Sequence, residues 1–316
     1  MFKRAAYVIV LLITSIHAQQ FRFEGSVRDA QTKEGIPFAT VLFQDLKKGT
    51  SADKSGTFQL SVQDDLKNEW FSISSVGYES KLIQLNQLKD AVVFLNPKIN
   101  DLDEVKLYEM RLEHKKRVNP FRGKQIVGLG NFSGGAYPSA LARFYERPQG
   151  FDDACFLSEI KIDFYSLLGM PGREAKFRLR ILGIAADQSP GKDVLNSDLI
   201  LTKGESDRHI SLDLKPYKLQ IPATGFFVVV EHLFIERNKF TETVSVKIND
   251  SIGVQNYEVE RYAPIFKGIE IEENKKEVRC YYRGLSGWKP INLLDTKSSA
   301  LQGKFPAPAF KLQFTD

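Results

Sequence analysis

Three histidines, two cysteines and one aromatic cluster hold most of the reactive chemistry available after residue 18 of this 316-residue chain. A hydrolytic zinc centre needs His and carboxylate ligands that converge and leave one position open. His114, His209 and His232 do not fit that need, since none sits in H-E-x-x-H. His232 precedes Glu236 by four residues, but inside "FFVVVEHLFIE", which reads as a strand with no second histidine near it. It is read as a structural strand position. Cys155 and Cys280 could close a disulfide in an oxidising compartment, or be two buried free thiols. The sequence leaves both open. Tyr281, Tyr282 and Trp288 in "CYYRGLSGWKP" are the candidates for an aromatic platform that binds a glycan. Tyr281 and Tyr282 are neighbours on a strand, so one faces in and one out. Packing at the core or its rim is the simpler account of all three.

Other short motifs fail their structural context. The loop "GLGNFSGGAYP", with Gly130, Gly134 and Gly135, lacks the Lys and the following helix of a phosphate-cradling loop. "GLSGW" is not the G-x-S-x-G of a nucleophile elbow. No catalytic residue, metal or cofactor is expected, and the chain is read as a non-enzyme.

The first residues, "MFKRAAYVIVLLITSIHA", are an address signal. Lys3 and Arg4 precede an apolar run from Tyr7 to Ile13, and Ser15 to Ala18 end it with small residues. That is the pattern of a secretory signal peptide, residues 1–18, with Ala18 last before cleavage. The run is short for a membrane span. No Cys lies near the cleavage point, so a lipid anchor is not expected, and no later apolar stretch is long enough for an integral span. The formal charge of +5 falls by two with Lys3 and Arg4. The pI of 8.9 is therefore a mild bias, and no nucleic-acid partner is expected.

The remainder suits two domains. From Phe21 the chain runs "FRFEGSVRD", "FATVLFQD", "GTFQLSV", "WFSISSVGY", "KLIQL" and "AVVFL". These are short Val-, Ile- and Phe-rich runs bounded by turn residues, which predicts an antiparallel sandwich of about seven strands over residues 19–97. Asp29 and Asp53 are read as turn residues that satisfy backbone donors; calcium ligation is the alternative. Residues 98–125 are polar and read as a linker, with room for one short helix or for a basic patch that meets anionic lipid. From Ile126 to residue 316 alternation resumes in "ACFLSEIKIDFYS", "KFRLRILGIA", "HISLDLKPYKLQIP", "EVRCYYR" and "FKLQF". In "KFRLRILGIA", Phe177, Leu179 and Ile181 fall on one face and Lys176, Arg178 and Arg180 on the other, the mark of a half-buried strand. "GKDVLNSDLI" allows one helical turn. The fold class expected is all-β, a seven-stranded sandwich followed by a larger jelly-roll-like sandwich.

The first domain resembles the carboxypeptidase regulatory-like family, a transthyretin-like sandwich. Gly25, Val27, Asp29, Ile36, Ala39, Val41, Asp53, Gly56, Phe58, Val76, Gly77 and Tyr78 carry the likeness. The resemblance is to the accessory module of such enzymes and not to their catalytic domain. In many envelope proteins this module precedes a TonB-dependent receptor, with a TonB box between them. "LDEVKL" (Leu102, Asp103, Glu104, Val105, Lys106, Leu107) is similar to that box, which acts by adding a strand to a partner sheet. Lys106 departs from the pattern, and too little chain follows for a plug and large barrel. TonB contact is therefore not expected, and the segment is read as a linker strand. The second domain loosely resembles envelope β-sandwich modules and carbohydrate-binding jelly rolls. Asp250-Ser251-Ile252 is similar to a short bacterial O-glycosylation motif.

These likenesses imply a non-catalytic exported protein in the periplasm or at the outer membrane of a Gram-negative bacterium, binding or scaffolding an envelope protein or glycan. A soluble accessory to a TonB-linked uptake system and an envelope hydrolase with an unrecognised site are the alternatives. Protein recovered from its native envelope should begin at Gln19. Intact-mass measurement checks this, and a retained Met1–Ala18 segment would exclude signal cleavage.

Overall fold

Strand formation in this chain follows the period-2 placement of Val, Ile, Leu and Phe, interrupted by turn residues at short intervals. A computed structural model describes residues 21–62, 68–87, 90–98, 109–151, 154–166, 172–249, 253–275, 277–294, 301 and 303–316. The segment read as a signal peptide, the "LDEVKL" segment and Asp250-Ser251-Ile252 lie outside them. The protein is all-β, with short 3-10 turns and no α-helix among the described residues. Among the described residues, no helix is long and apolar enough to cross a membrane.

The first module has seven strands: β1 (Phe21–Asp29), β2 (Thr40–Phe43), β3 (Lys48–Ser51), β4 (Thr57–Val62), β5 (Trp70–Ser74), β6 (Lys81–Gln84) and β7 (Val92–Leu95). They form two sheets, β4-β1-β7 and β3-β2-β5-β6. Val27, Val41, Phe43, Phe58, Phe71, Ile73, Val93 and Leu95 fill the space between. Gly25 is required where β1 crosses Phe58, since a Cβ would fall 2.7 Å from the ring. Gly56 takes a positive φ in the turn before β4, which L side chains disfavour.

The second module continues with β8 (Lys115–Val118), β9 (Ile126–Leu129), β10 (Ala140–Tyr145), β11 (Phe156–Asp163), β12 (Ala175–Ile184), β13 (Pro190–Asp193), β14 (Leu199–Lys203) and β15 (His209–Asp213). Then follow β16 (Phe226–His232), β17 (Lys239–Asn249), β18 (Gly253–Tyr262), β19 (Phe266–Glu272), β20 (Cys280–Gly284), β21 (Gly287–Pro290), β22 (Lys304–Pro308) and β23 (Phe310–Thr315). One layer is the sheet β13-β12-β16-β10-β20-β21, with β14 also paired to β12. The other is built from β15-β11-β23-β8 and β22-β19-β9, joined by a bridge between Phe164 and Phe266. Leu179, Ile181, Val228 and Val230 from the first layer meet Ile160, Ile162, Phe266, Ile269 and Phe314 from the second. Among the described residues, strands β17 and β18 pair only with each other and form a two-stranded arm.

Three expectations change. The first module is not wholly antiparallel, since β7 pairs parallel to β1. Lys115–Val118, inside the stretch read as linker, is a strand: β8 pairs with β23 along the edge of the second module. "GKDVLNSDLI" has no helical turn; it supplies β13 and the start of β14, because both pair with β12.

The modules meet along a seam. Strand β3 would otherwise be an open edge of its sheet, a template for unwanted pairing. Here Gly49 N donates to Ala136 O at 3.0 Å and Ser51 N to Phe234 O at 3.2 Å. Phe234 N in turn donates to Ser51 Oγ at 3.0 Å. Beneath this contact Asn238, fully buried, clips β12 to the segment after β16. Its Oδ1 accepts from Lys176 N at 2.8 Å, and its Nδ2 donates to Lys176 O at 2.6 Å and Leu233 O at 2.8 Å. Asn238→Ala should cost about 1–3 kcal/mol for each backbone group left buried without a partner. Urea unfolding of the variant against the native chain measures this, and a change below about 0.5 kcal/mol would be that of an ordinary surface site.

Candidate functional site

Period-2 geometry gives the large sheet of the second module two faces. Its inner face makes the core. Its outer face carries Arg178 and Arg180 from β12, Glu231 from β16, and Tyr281 and Arg283 from β20. The "KFRLRILGIA" pattern suggested that the arginine face meets solvent. It does not: Arg178 is only 1% exposed, because the first module lies over it. Arg178 Nη2 donates across the seam to Phe38 O at 3.0 Å.

The charges are closely matched. Arg178 Nε donates to Asp198 Oδ1 at 2.6 Å, and its Nη1 to Glu231 Oε2 at 3.2 Å. Arg180 grips Asp193 with Nε at 2.9 Å and Nη2 at 2.8 Å, a fork-to-carboxylate pair. Its Nη1 donates to Glu231 Oε1 at 2.7 Å. Arg283 approaches that same Oε1 at 3.7 Å. Burial opposes a charge on Glu231, but Arg180, Arg178 and Arg283 outweigh it and hold its carboxyl down at about 2. Burial also works against the charge on Arg178, and Glu231 and Asp198 more than offset it, so its pKa is raised.

A polar cavity of about 90 Å³ sits on this network at the seam. Arg178, Arg180, Asp193, Glu231 and Arg283 form its floor, and the bend Val76-Gly77-Tyr78 with Ser74, Ser75 and Lys98 forms its roof. The family-like residues thus acquire a physical purpose. Asp29 Oδ1 accepts from Gln31 N at 2.6 Å and Thr32 N at 2.9 Å, and Tyr78 Oη donates to Asp29 Oδ2 at 2.9 Å. Tyr78 therefore ties the bend after β5 to the end of β1. Asp53 Oδ1 caps Ser55 N at 2.8 Å and Thr57 N at 2.9 Å. Both carboxylates are turn residues, as read from sequence.

The aromatic candidates split. Tyr282 faces the core and stacks on Phe132 with ring centroids 5.3 Å apart. Tyr281 and Trp288 share the outer face and pack on an apolar cluster containing Phe227 and Val229. Tyr281 Oη donates to Gln188 O at 3.3 Å. All three are partly buried, so they do not form one open platform. Cys155 and Cys280 are buried free thiols. Burial pushes them up to about 11 and about 12, which leaves little thiolate to react. His232 is buried in β16; its Nε2 donates to Pro264 O at 3.2 Å, its Nδ1 has no partner among the described residues, and burial lowers its pKa to about 4.

Sequence spacing missed two clusters. Glu113, His114 and Asp316 converge at the surface, and Asp316 Oδ1 accepts from Glu113 N at 2.8 Å and His114 N at 3.0 Å. Such a clasp was invisible because its partners come from opposite ends of the module. The seam network left one signal, the lone carboxylate Glu231 in the apolar run "FFVVVEHLF".

Glu231→Gln should cost up to about 3–5 kcal/mol, since it removes the carboxylate that Arg178 and Arg180 share and leaves each buried with one acidic partner. Acid should act in the same sense. Stability due to Glu231 is full above its ordinary 4.5 and is lost as pH falls towards 2. His232, neutral when folded, is protonated first in the unfolded chain, so its share is lost between pH 6.5 and 4. Denaturant melts across that range test both, and an unchanged midpoint in His232→Gln relative to the native chain at pH 4 would contradict the histidine assignment.

Among solved structures, the chain is similar to the clostridial cysteine protease Cwp84 after propeptide cleavage, at 11% identity and a TM-score of 0.34. That match covers 64% of this chain, which spans 40% of the protease chain. A membrane-associated protein of unknown function from Bacteroides fragilis is similar at 12% identity and a TM-score of 0.20, over 78% of this chain and 97% of that one. No curated protein matches. Residues 23–107, the first module and the segment that follows it, match the CarboxypepD_reg-like domain family.

Proposed function

We propose that this is a non-catalytic exported protein of the cell envelope, a binding or scaffolding unit in which two β-sandwiches act as one rigid body. The observation that carries this reading is the seam. Main-chain bonds from β3 and the bond from buried Arg178 to Phe38 O tie the modules together, which suits a scaffold more than a hinged enzyme. Groups that might react are engaged structurally. Glu231 is held between guanidinium groups. Lys203 Nζ donates to the carbonyls of Arg173 at 3.0 Å and Gly204 at 2.8 Å, and burial lowers its pKa despite nearby Asp207 and Glu205. Export is supported by the signal-like first residues, and the match of residues 23–107 to a regulatory-like domain supports an accessory role.

Immobilised chain from Gln19 to Asp316 should retain a protein or glycan component of solubilised envelope from the same cells, saturably and at micromolar concentration. Turnover of any member of a hydrolase substrate panel, abolished by substitution within the chain, would replace this reading with the enzymatic one.

A further inference from the structure

The seam cavity contains one guanidinium whose pairing is incomplete. Arg178 and Arg180 each have a carboxylate in direct hydrogen-bond contact besides Glu231. Arg283 does not. Its ion pair among the described residues is to Glu231 Oε1 at 3.7 Å, and that oxygen already accepts from Arg180 Nη1 at 2.7 Å. A guanidinium presents five donors in a planar fork, and 3.7 Å is beyond hydrogen-bond range. The side chain of Arg283 keeps 38% of its surface open, and the residue lines this cavity and a second, smaller one beside Ser139 and His232.

The cavity wall favours a negative guest. Four cationic residues line it (Arg178, Arg180, Arg283 and Lys98) against two carboxylates, Asp193 and Glu231. Asp198 lies behind Arg178, and counting it still leaves the cations in excess. Ser74 and Ser75 line the side opposite the floor. A space of about 90 Å³ admits several waters or one small oxyanion. Water can satisfy donors but leaves the excess charge unanswered, whereas an oxyanion meets both needs and matches the fork of an arginine.

We propose that the seam cavity is a binding site for a small oxyanion, a carboxylate, phosphate or sulfate, held on the guanidinium of Arg283 between the two modules. Because the roof belongs to the first module and the floor to the second, the bound anion fastens one to the other. The inference is independent of where the protein resides.

Inorganic phosphate, sulfate and acetate are titrated separately into the full chain at fixed ionic strength, with chloride as the reference. Phosphorus NMR line width reads phosphate directly, and melting temperature reads all three. Saturable phosphate broadening, displaced by sulfate or by acetate, is expected, and the more effective competitor identifies the anion class. Arg283→Gln should weaken binding about tenfold or more, the loss of roughly one charge-assisted hydrogen bond. Arg283→Lys, which keeps the charge and the fold of the site but not the fork, should bind with intermediate affinity. An absence of saturable binding to the native chain would overturn the proposal, as would equal affinity in the native chain and Arg283→Lys together with Arg283→Gln. If Arg283→Gln does not fold, the native and Lys titrations decide alone.

Discussion

Glu231 is the constraint around which the rest is arranged. A carboxylate in the middle of an apolar strand cannot be buried without cations, and two cations on β12 cannot be buried without more carboxylates. Asp193 and Asp198 supply them from the segment that follows β12. The set is tolerable under the first module only because nearly every donor finds an acceptor, including the Phe38 carbonyl of that module. A network of this kind adds little net stability compared with apolar packing. Its larger effect is on alternatives: one donor of the buried Arg178 is met by the Phe38 carbonyl of the first module, and a different docking would forfeit that bond. The orientation of the modules is therefore specified by polar chemistry, while each module's own fold is specified by apolar packing.

Edge protection points the same way. A seven-stranded sandwich of two open sheets has edges to hide. The edge at β3 is covered by main-chain contacts with Ala136 and Phe234, so the seam satisfies polar backbone and buries charge at once. Tyr262 stacks flat on Phe234, with ring centroids 3.6 Å apart, at the foot of the β17–β18 arm. The same phenylalanine thus belongs to the seam through its backbone and to the arm through its ring.

The first module was legible in the sequence because its rules are local. "FRFEGSVRD" coincides with β1. Gly56, Gly77 and Asp53 announce turns by what their side chains permit. The second module was legible as alternating strands, and Phe177, Leu179 and Ile181 do face the core. What alternation could not supply was the fate of the other face. Arg178 and Arg180 look the same in sequence whether they meet water or another domain, since period-2 placement encodes sides and not neighbours. Strand β8 was hidden for a related reason: "KKRV" is polar on both faces, and it is a strand because β23 offers an edge, not because of its own composition. Tyr281, Tyr282 and Trp288 were separated correctly into opposite faces for the first two, but their partial burial depends on Phe132 and Phe227, which are distant in sequence.

The arm shows how far the seam's influence reaches. A two-stranded hairpin is marginal in water by itself, and this one exposes Val246, Val254 and Tyr257. No other strand among the described residues pairs with it, and its contacts with the rest of the module lie at its foot. There Tyr262 stacks on Phe234, Arg261 Nη1 donates to Gly134 O at 3.1 Å, and Arg261 Nε reaches Glu242 Oε2 at 3.0 Å. Phe234 is held by Ser51 of the first module, and Gly134 lies in the loop whose Ala136 carbonyl accepts from Gly49. The arm's direction is accordingly set by contacts to Phe234 and Gly134, residues of the second module that also border the seam. A change that loosens the seam would act on the arm as well, with no residue of β17 or β18 altered.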